Sequence, residues 1–516
     1  MLPTGDIEWP PPALRGEIER VKFLAAEYGG DLDTLMPNSS AVAARRRWWQ
    51  PGKLPMSGGG TLGWGDTMPL HVPIAADLAR TSADLLFSEL PGIELATDLG
   101  TVASDRLGVL VDALDLESRL PEAAELCAAL SGIYWRVSWD TSSSNDPIVS
   151  WVQPDNAMPE WSWGNLTAVT FVRKLPGLSP DDKITWRHLE RHSMLGGMAV
   201  IEHGLYATSE PDNLGRRVPL TEHPETAPLA ASLSSEDMII LERCPVMTAG
   251  YVPNMRPNRK DRGSPLGRPD IEQLDDLLRA VDITWSSWLR DLRLGRARII
   301  VPREYLTPGA PGQGAEFEES REVYSPLSMM PPGGASAQTG ITVSQFAVRT
   351  AEHSATLTAL VQQIVSDAGY SMRTFGLAGG TSAGAAVTAT QIDSEDDLSA
   401  RTRRKKVRYW APGLRRLLAA VLSVDGTVLR NGALAAVTPD QVSVTFENEG
   451  QPSAQVVAQT ANLLSQAKAA STETLVRMVH PDWAPEQVAE EVARIMGEQG
   501  VPAMDPATLG AAGSGL

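Results

Sequence analysis

Apolar residues recur at helical spacing along most of the chain and at every second position in one central stretch. Leu14, Ile18, Val21 and Leu24 predict a helix over residues 11–29, stopped at Gly29 and Gly30, where a left-handed cap is easily made. A second helical pattern runs from Val72 to Phe87 toward Pro91, and Val102 to Leu130 is rich in helix. The period then drops to two. Ile133–Trp139, Ala168–Arg173, Thr185–His192 and Met198–Tyr206 alternate apolar and polar residues, as half-buried antiparallel strands do. Many of the 14 tryptophans fall in or beside these strands, which suits aromatic packing across a sheet.

Beyond them, Arg256–Pro269 reads as a Pro-, Arg- and Gly-rich connector. A helix is expected from Asp270 to about Leu294, with Ile271, Leu274, Leu278, Val281, Trp285, Trp288 and Leu292 on one face; about 25 residues make a rod of roughly 37 Å. Arg298–Val301 reads as a strand, and Thr307–Gly314 and Pro331–Gly340 as loops. A second long helix is expected over Ser344–Ala368, closed by Gly369, and a third over Thr388–Leu422. Between them Thr374–Ala386 (TFGLAGGTSAGAA) has little to pack with. Val442–Phe446 alternates like a short strand, and helices return at 454–470, 472–479 and 485–497 before a Gly/Ala/Ser tail. The fold class is α+β, without an internal repeat.

Composition narrows the function. At 516 residues, 42% hydrophobic and 21% charged, this is ordinary globular material. The longest apolar run, Leu417–Val424, is far short of the roughly 20 residues a bilayer crossing needs, and Met1–Trp9 does not read as a signal peptide. Cys127 and Cys244 are too few for a disulfide framework or a Cys-only zinc site and read as buried thiols in a reducing compartment. The net charge of −18 opposes a protein that grips nucleic acid through phosphate neutralisation. It does not oppose a wall along which DNA slides.

Chemical motifs are sparse. Arg45–Trp49 (RRRWW) precedes a Gly-rich loop at Ser57–Gly65 and reads as a surface patch rather than a phosphate contact. Gly376–Gly384 lacks the lysine of a phosphate loop and opens no βαβ unit. No serine sits in a nucleophile elbow, so neither catalytic nor cofactor-binding residues are assigned. His188, Glu190 and His192 share one face of a strand, which leaves room for a metal, but exposed polar positions are the preferred reading. No metal site is assigned. Arg401, Arg403, Arg404, Lys405, Lys406 and Arg408 follow the acidic run Asp393, Glu395, Asp396 and Asp397. Spread around a helix, they cannot all face one duplex, and Asp397 and Arg401 stand at i,i+4. Ion pairs, within the chain and with a neighbouring copy if the chain assembles, are preferred, with phosphate contact as the alternative.

Several segments, taken in order, resemble the portal proteins of tailed bacteriophages, most closely the SPP1-like type of actinobacterial phages. They are AEYGGDLDTL (26–35), HVPIAADLARTSADLLFSE (71–89), the stretch from His188 to Thr226, GRPDIEQLDDLLRAVDITWSSWLRDL (267–292), AVTATQIDSEDDLSARTRRKKVRYW (386–410) and ETLVRMVHPDWAPEQVAEEVARI (473–495). The resemblance implies a portal fold: a mixed α/β wing (1–266), a first stem helix (267–295), a small clip insertion (296–343) and a second stem helix (344–369). A tunnel loop (370–386), a tunnel helix with a wing return strand (387–450), helical crown (451–500) and disordered tail (501–516) complete it. It further implies a non-enzymatic ring, typically of twelve subunits, at one capsid vertex of the virion, assembled in the host cytoplasm. Double-stranded DNA passes through it, and its partners are the terminase large subunit, the major capsid protein and a head-to-tail adaptor; no membrane and no cofactor are involved. Thr374, Gly376, Gly379, Gly380, Thr381, Ser382 and Gly384 would form the loop facing DNA, small and uncharged so that phosphate does not stick. The competing expectations are an enzyme on nucleic acid or cell-wall polymer with carboxylates gathered by the fold, and a scaffold or adaptor of another ring.

Overall fold

The computed structural model describes residues 1–35, 70–231, 233, 237–294, 298–300, 307–308, 315–316, 342–344, 348–377, 389–430, 432, 435–446, 454–467, 469–480 and 483–499. Arg45–Trp49 and Ser57–Gly65 therefore lie outside the described residues. The chain divides into two compact units, Met1–Phe446 and Glu447–Leu516.

In the first unit, α1 (Pro12–Gly29) has proline in its first turn and ends at Gly30 in the left-handed conformation, φ +68°. Helix α2 (Ile74–Leu86) buries Ala75, Leu78, Ala79 and Leu86 along one stripe. Strand β1 (Gly92–Leu95) leads to α3 (Gly100–Ala113) and α4 (Leu116–Leu130). Three strands follow in one antiparallel sheet, with β2 (Gly132–Ser138) between β3 (Ile148–Val152) and β10 (Ala249–Pro253). A larger antiparallel sheet contains β4 (Ala157–Ser162), β5 (Asn165–Leu175), β6 (Thr185–Leu195), β7 (Met198–Thr208) and β8 (Arg216–Val218), with β9 (Met238–Leu241) also paired to β7. These include the four strands that the alternating pattern predicts.

Alternation misjudges their exposure, however. The small sheet covers one face of the large one through Tyr134, Ala249, Val169 and Phe171. The N-terminal segment covers the other, where Leu2 and Trp9 pack on Leu189 and Tyr206. With both faces covered, β6 is buried at nearly every position up to Ser193.

Residues 256–269 are also less loose than their composition suggests. Asn258 is buried, its Oδ1 accepts from the backbone N–H of Lys260 and Asp261, and Asn254 donates to the carbonyl of Arg268. This segment is a packed turn, not a free connector, because side-chain amides satisfy its backbone.

Helix α5 spans Asp275–Leu294, five residues later than expected, since Asp270 to Gln273 form turns. Short pairs β11 (Arg298–Ile300) with β14 (Thr342–Ser344), and β12 (Thr307–Pro308) with β13 (Ala315–Glu316), are antiparallel. Ser344 thus belongs to a strand, and α6 begins at Thr350 and ends at Ala368. Helices α5 and α6 run antiparallel: Asp291, near the end of α5, accepts from Arg349 (2.9 Å) and contacts His353 (3.0 Å), and Trp288 stacks on His353. Helix α7 (Ala389–Val424) has 36 residues, about 54 Å of rod, and ends in a π-helical turn at Asp425–Leu429. Its second half forms the main core with α3, α4, β2 and β3, through Trp410, Leu414, Leu417, Leu418 and Val421. Strand β15 (Val442–Thr445) returns to pair with β1.

The second unit holds α8 (Ala454–Gln466), α9 (Thr472–Val479, capped by the Ser471 hydroxyl) and α10 (Pro485–Gln499), close to the three expected helices.

Candidate functional site

The basic run on α7 divides by helical geometry. Positions 399, 402, 403, 406, 410 and 414 are buried, whereas Arg401, Arg404, Lys405 and Arg408 are exposed. The exposed four stand at i, i+3, i+4 and i+7 and so form one stripe. Arg403 turns inward and its Nε donates to the carbonyl of Leu85 at 2.5 Å, joining α7 to α2. Asp397 lies within α7, with its side chain outside the described residues.

Lys406 is the centre of a buried junction. Its ammonium donates to both carboxylate oxygens of Asp270 at 2.7 Å and to the Ser82 hydroxyl at 2.5 Å. Asp270 also accepts from the Tyr370 hydroxyl (2.7 Å) and Asn254 Nδ2 (2.8 Å), and its own N–H donates to Ala128. Burial pulls the Lys406 ammonium below its ordinary range, against the opposing pull of the Asp270 charge. One ion pair thus ties together α2, α4, the turn after β10, the lead into α5, the end of α6 and the middle of α7.

One turn earlier on α7, Thr402 Oγ1 donates to the carbonyl of Gly369 at 2.6 Å. Gly369 caps α6 at φ +90°, and an added Cβ there would sit 2.8 Å from that hydroxyl, so the stop needs glycine. Ser399 Oγ accepts from the N–H of Ser371 (3.0 Å) and bonds the Thr374 hydroxyl (2.8 Å). Thr374 is in this way pinned to α7, and Gly376 follows in the left-handed conformation at φ +69°. Of the loop 374–386, residues 374–377 fall within the described residues, so of the positions assigned to face DNA Thr374 and Gly376 are described, and Gly379, Gly380, Thr381, Ser382 and Gly384 lie outside them. What is described is how the loop departs: from a short 3-10 turn, Met372–Phe375, fixed to both α6 and α7.

The histidines need a correction. His188, Glu190 and His192 are not exposed strand positions; they are buried, at 8%, 9% and 0% exposure, because the small sheet lies over that face. His192 bonds Thr248 Oγ1 (2.7 Å) and Glu190 (2.9 Å), and Arg136 from β2 donates to Glu190 at 2.6 Å. His188 stacks on His203, with 3.3 Å between ring nitrogens. Burial, reinforced by neighbouring positive charge, pushes both of these imidazoles down to about 4. Burial acts to raise the Glu190 carboxyl, yet the His192 hydrogen bond and the Arg136 charge hold it well below the carboxylate range. Among the described residues no group of three or more His, Cys, Asp or Glu side chains is arranged to hold a metal ion. Cys127 and Cys244 are buried free thiols.

These geometries describe an anchored helix pair, a fixed loop exit and a long helix with one cationic stripe. The chain matches the family model described as phage portal protein, SPP1 Gp6-like, over residues 70–499. It belongs to that family. The portal family is structural rather than enzymatic, and its members are homo-oligomeric rings that join phage head and neck proteins. No curated protein matches the chain. Among solved structures it is similar to a chain from the neck of an empty GTA particle computed with C6 symmetry, at 14% identity and a TM-score of 0.31; the match covers 82% of this chain and 96% of that one. Among the described residues no helix is long and apolar enough to cross a membrane.

Sequence reasoning missed Asp270, Tyr370 and Ser399, and read Lys406 as one cation of a run. A signal was present. Lys406 falls on the 399–402–406–410–414 stripe that also carries Trp410 and Leu414, the apolar side of α7.

Proposed function

We propose that this portal protein lines a channel for double-stranded DNA during packaging and ejection, in a ring of typically twelve copies at one capsid vertex. In this reading residues 1–266 are the wing, 296–343 the clip presented to the terminase large subunit and the head-to-tail adaptor, and 451–500 the crown. The wing side meets the major capsid protein, and assembly takes place in the host cytoplasm. The loop 374–386, rooted at Thr374, projects toward DNA, and α5 and α6 form the channel wall beside their counterparts. The observation that carries this is the buried Lys406–Asp270 junction, from which the α5–α6 pair extends on one side and the small-residue loop departs on the other. A wall that resists a moving duplex needs its rods rooted in the body, and this junction roots them.

The stripe Arg401, Arg404, Lys405 and Arg408 forms ion pairs with the acidic run 393–397, within a copy and, offset by about two turns of helix, between adjacent copies, with phosphate contact in the channel as the alternative. Identical helices side by side in a ring of net-negative subunits gain attraction from such an offset. The test is replacement of Thr374–Ala386 by a shorter linker. Rings should assemble as before, while DNA packaging or retention in the head falls. Normal packaging and retention would refute the placement of this loop at the DNA.

A further inference from the structure

Two surfaces of the 1–446 unit are complementary to each other. The first surrounds the β4–β5 turn. Trp163 and Gly164 both have positive φ, +52° and +78°, the pattern of a two-residue hairpin turn that suits Asn-Gly. A bulky L residue rarely adopts this conformation, yet here a tryptophan does, and it is 99% exposed. Beside the turn lies a cleft of about 440 Å³ whose wall includes Trp161, Met247, Tyr409, Arg256 and Arg416. The arginines are its charged lining residues, and among the described residues neither pairs with a carboxylate. Trp, Tyr, Met and Arg are the residues that dominate the centres of protein interfaces.

The second surface is an open groove of about 490 Å³ between β1 and α3. Leu90, Ile93, Leu107 and Val111 make it apolar, and its charged lining residues are Glu94 and Asp112. Neither carboxylate has an ion-pair partner among the described residues. Gly108 is part of the wall, and nothing stands within 4 Å of where its Cβ would be.

We propose that Trp163 of one copy seats in the β1–α3 groove of the next, with Arg256 and Arg416 facing Glu94 and Asp112. The inference rests on the portal reading, which supplies the second copy. Three physical points favour a copy of this chain as occupant. Subunits of net charge −18 repel one another, so a contact at which local charges oppose is favoured over one at which they do not. The projecting surface is aromatic and cationic, and the groove is apolar and anionic. The two lie on different elements of one chain, so their contact can be head-to-tail, the kind that builds a ring when its rotation closes.

The test compares assembly of full-length variants by analytical ultracentrifugation and native mass spectrometry. Trp163→Asn suits the turn better than tryptophan, so the chain should fold with an unchanged or higher denaturation midpoint. Its ring fraction should nevertheless fall at least tenfold at fixed concentration. Gly108→Leu, which fills the groove from an open helix position, should do the same with an unchanged circular dichroism spectrum.

Charge reversal gives the sharper result. Arg256→Glu with Arg416→Glu in one chain, and Glu94→Lys with Asp112→Lys in another, should each block assembly. Mixed in equal amounts, the two chains should form rings in which they alternate. The proposal is overturned by rings that persist in all the variants, or by a mixture of folded chains that fails to reassemble. It is equally overturned if the variants form normal rings and lose only binding to a head or neck protein, which would make these surfaces another partner's. A wild-type protein that forms no ring at all would instead remove the portal reading beneath it.

Discussion

Lys406→Met should weaken the fold more than any exposed change on α7. The side chains of Lys406 and Asp270 are each 1% exposed. Removing one member of a buried ion pair costs about 3–5 kcal/mol, because the other is left charged without compensation. After Lys406→Met the Asp270 carboxylate keeps donors from Tyr370 and Asn254, which places the loss near the lower end, about 3 kcal/mol. After Asp270→Asn the ammonium keeps the Ser82 hydroxyl and a carbonyl-type oxygen, which places it near the upper end, about 5 kcal/mol. The double variant carries no stranded charge and should cost about 3 kcal/mol less than the sum of the two, a coupling expected of residues in contact. The assay is guanidinium unfolding at one fixed protein concentration, because assembly adds to apparent stability. A loss below about 1 kcal/mol for Lys406→Met, or singles that simply add, would refute the reasoning.

Acid should weaken the large sheet in a defined window. The folded-state values of His188 and His203 lie at about 4, below the ordinary imidazole value, so the unfolded chain binds the extra protons. Stability is therefore full above about pH 6.5 and falls toward pH 4, by about 3 kcal/mol for each histidine. Unfolding followed from pH 7 to 4 should show this slope, and His188→Gln with His203→Gln should flatten it; an unchanged slope would contradict the assignment. The Glu190 contribution belongs to a lower window, lost as pH falls from about 4.5. Ser399→Ala removes the anchor of Thr374 and should cost about 1 kcal/mol while raising hydrogen exchange at 371–377; exchange that stays slow there would show the loop exit to be held by other contacts.

Much of the framework is legible in the sequence, because hydrophobic period reports directly on helix and strand. The tryptophan-rich strands, the three long helices and the terminal helices all carry such periods. What period cannot report is which second layer will cover a face. His188, Glu190 and His192 alternate correctly for a strand, but their burial depends on Arg136 and Thr248, which arrive from distant positions. The same is true of Lys406, whose partner lies 136 residues away. The late start of α5 goes with the same distant contacts: the Asp270 carboxylate is engaged by Lys406, Tyr370 and Asn254 and does not cap a helix. Composition misled at 256–269, where Pro and Gly serve a hydrogen-bonded turn rather than a tether.

The most direct measurement is a cryo-electron-microscope reconstruction of the purified full-length protein. The portal reading predicts closed rings whose central opening, bounded by α5, α6 and the 374–386 loop, admits a duplex of about 20 Å. Monomers, or closed assemblies with no axial opening of that width, would contradict it.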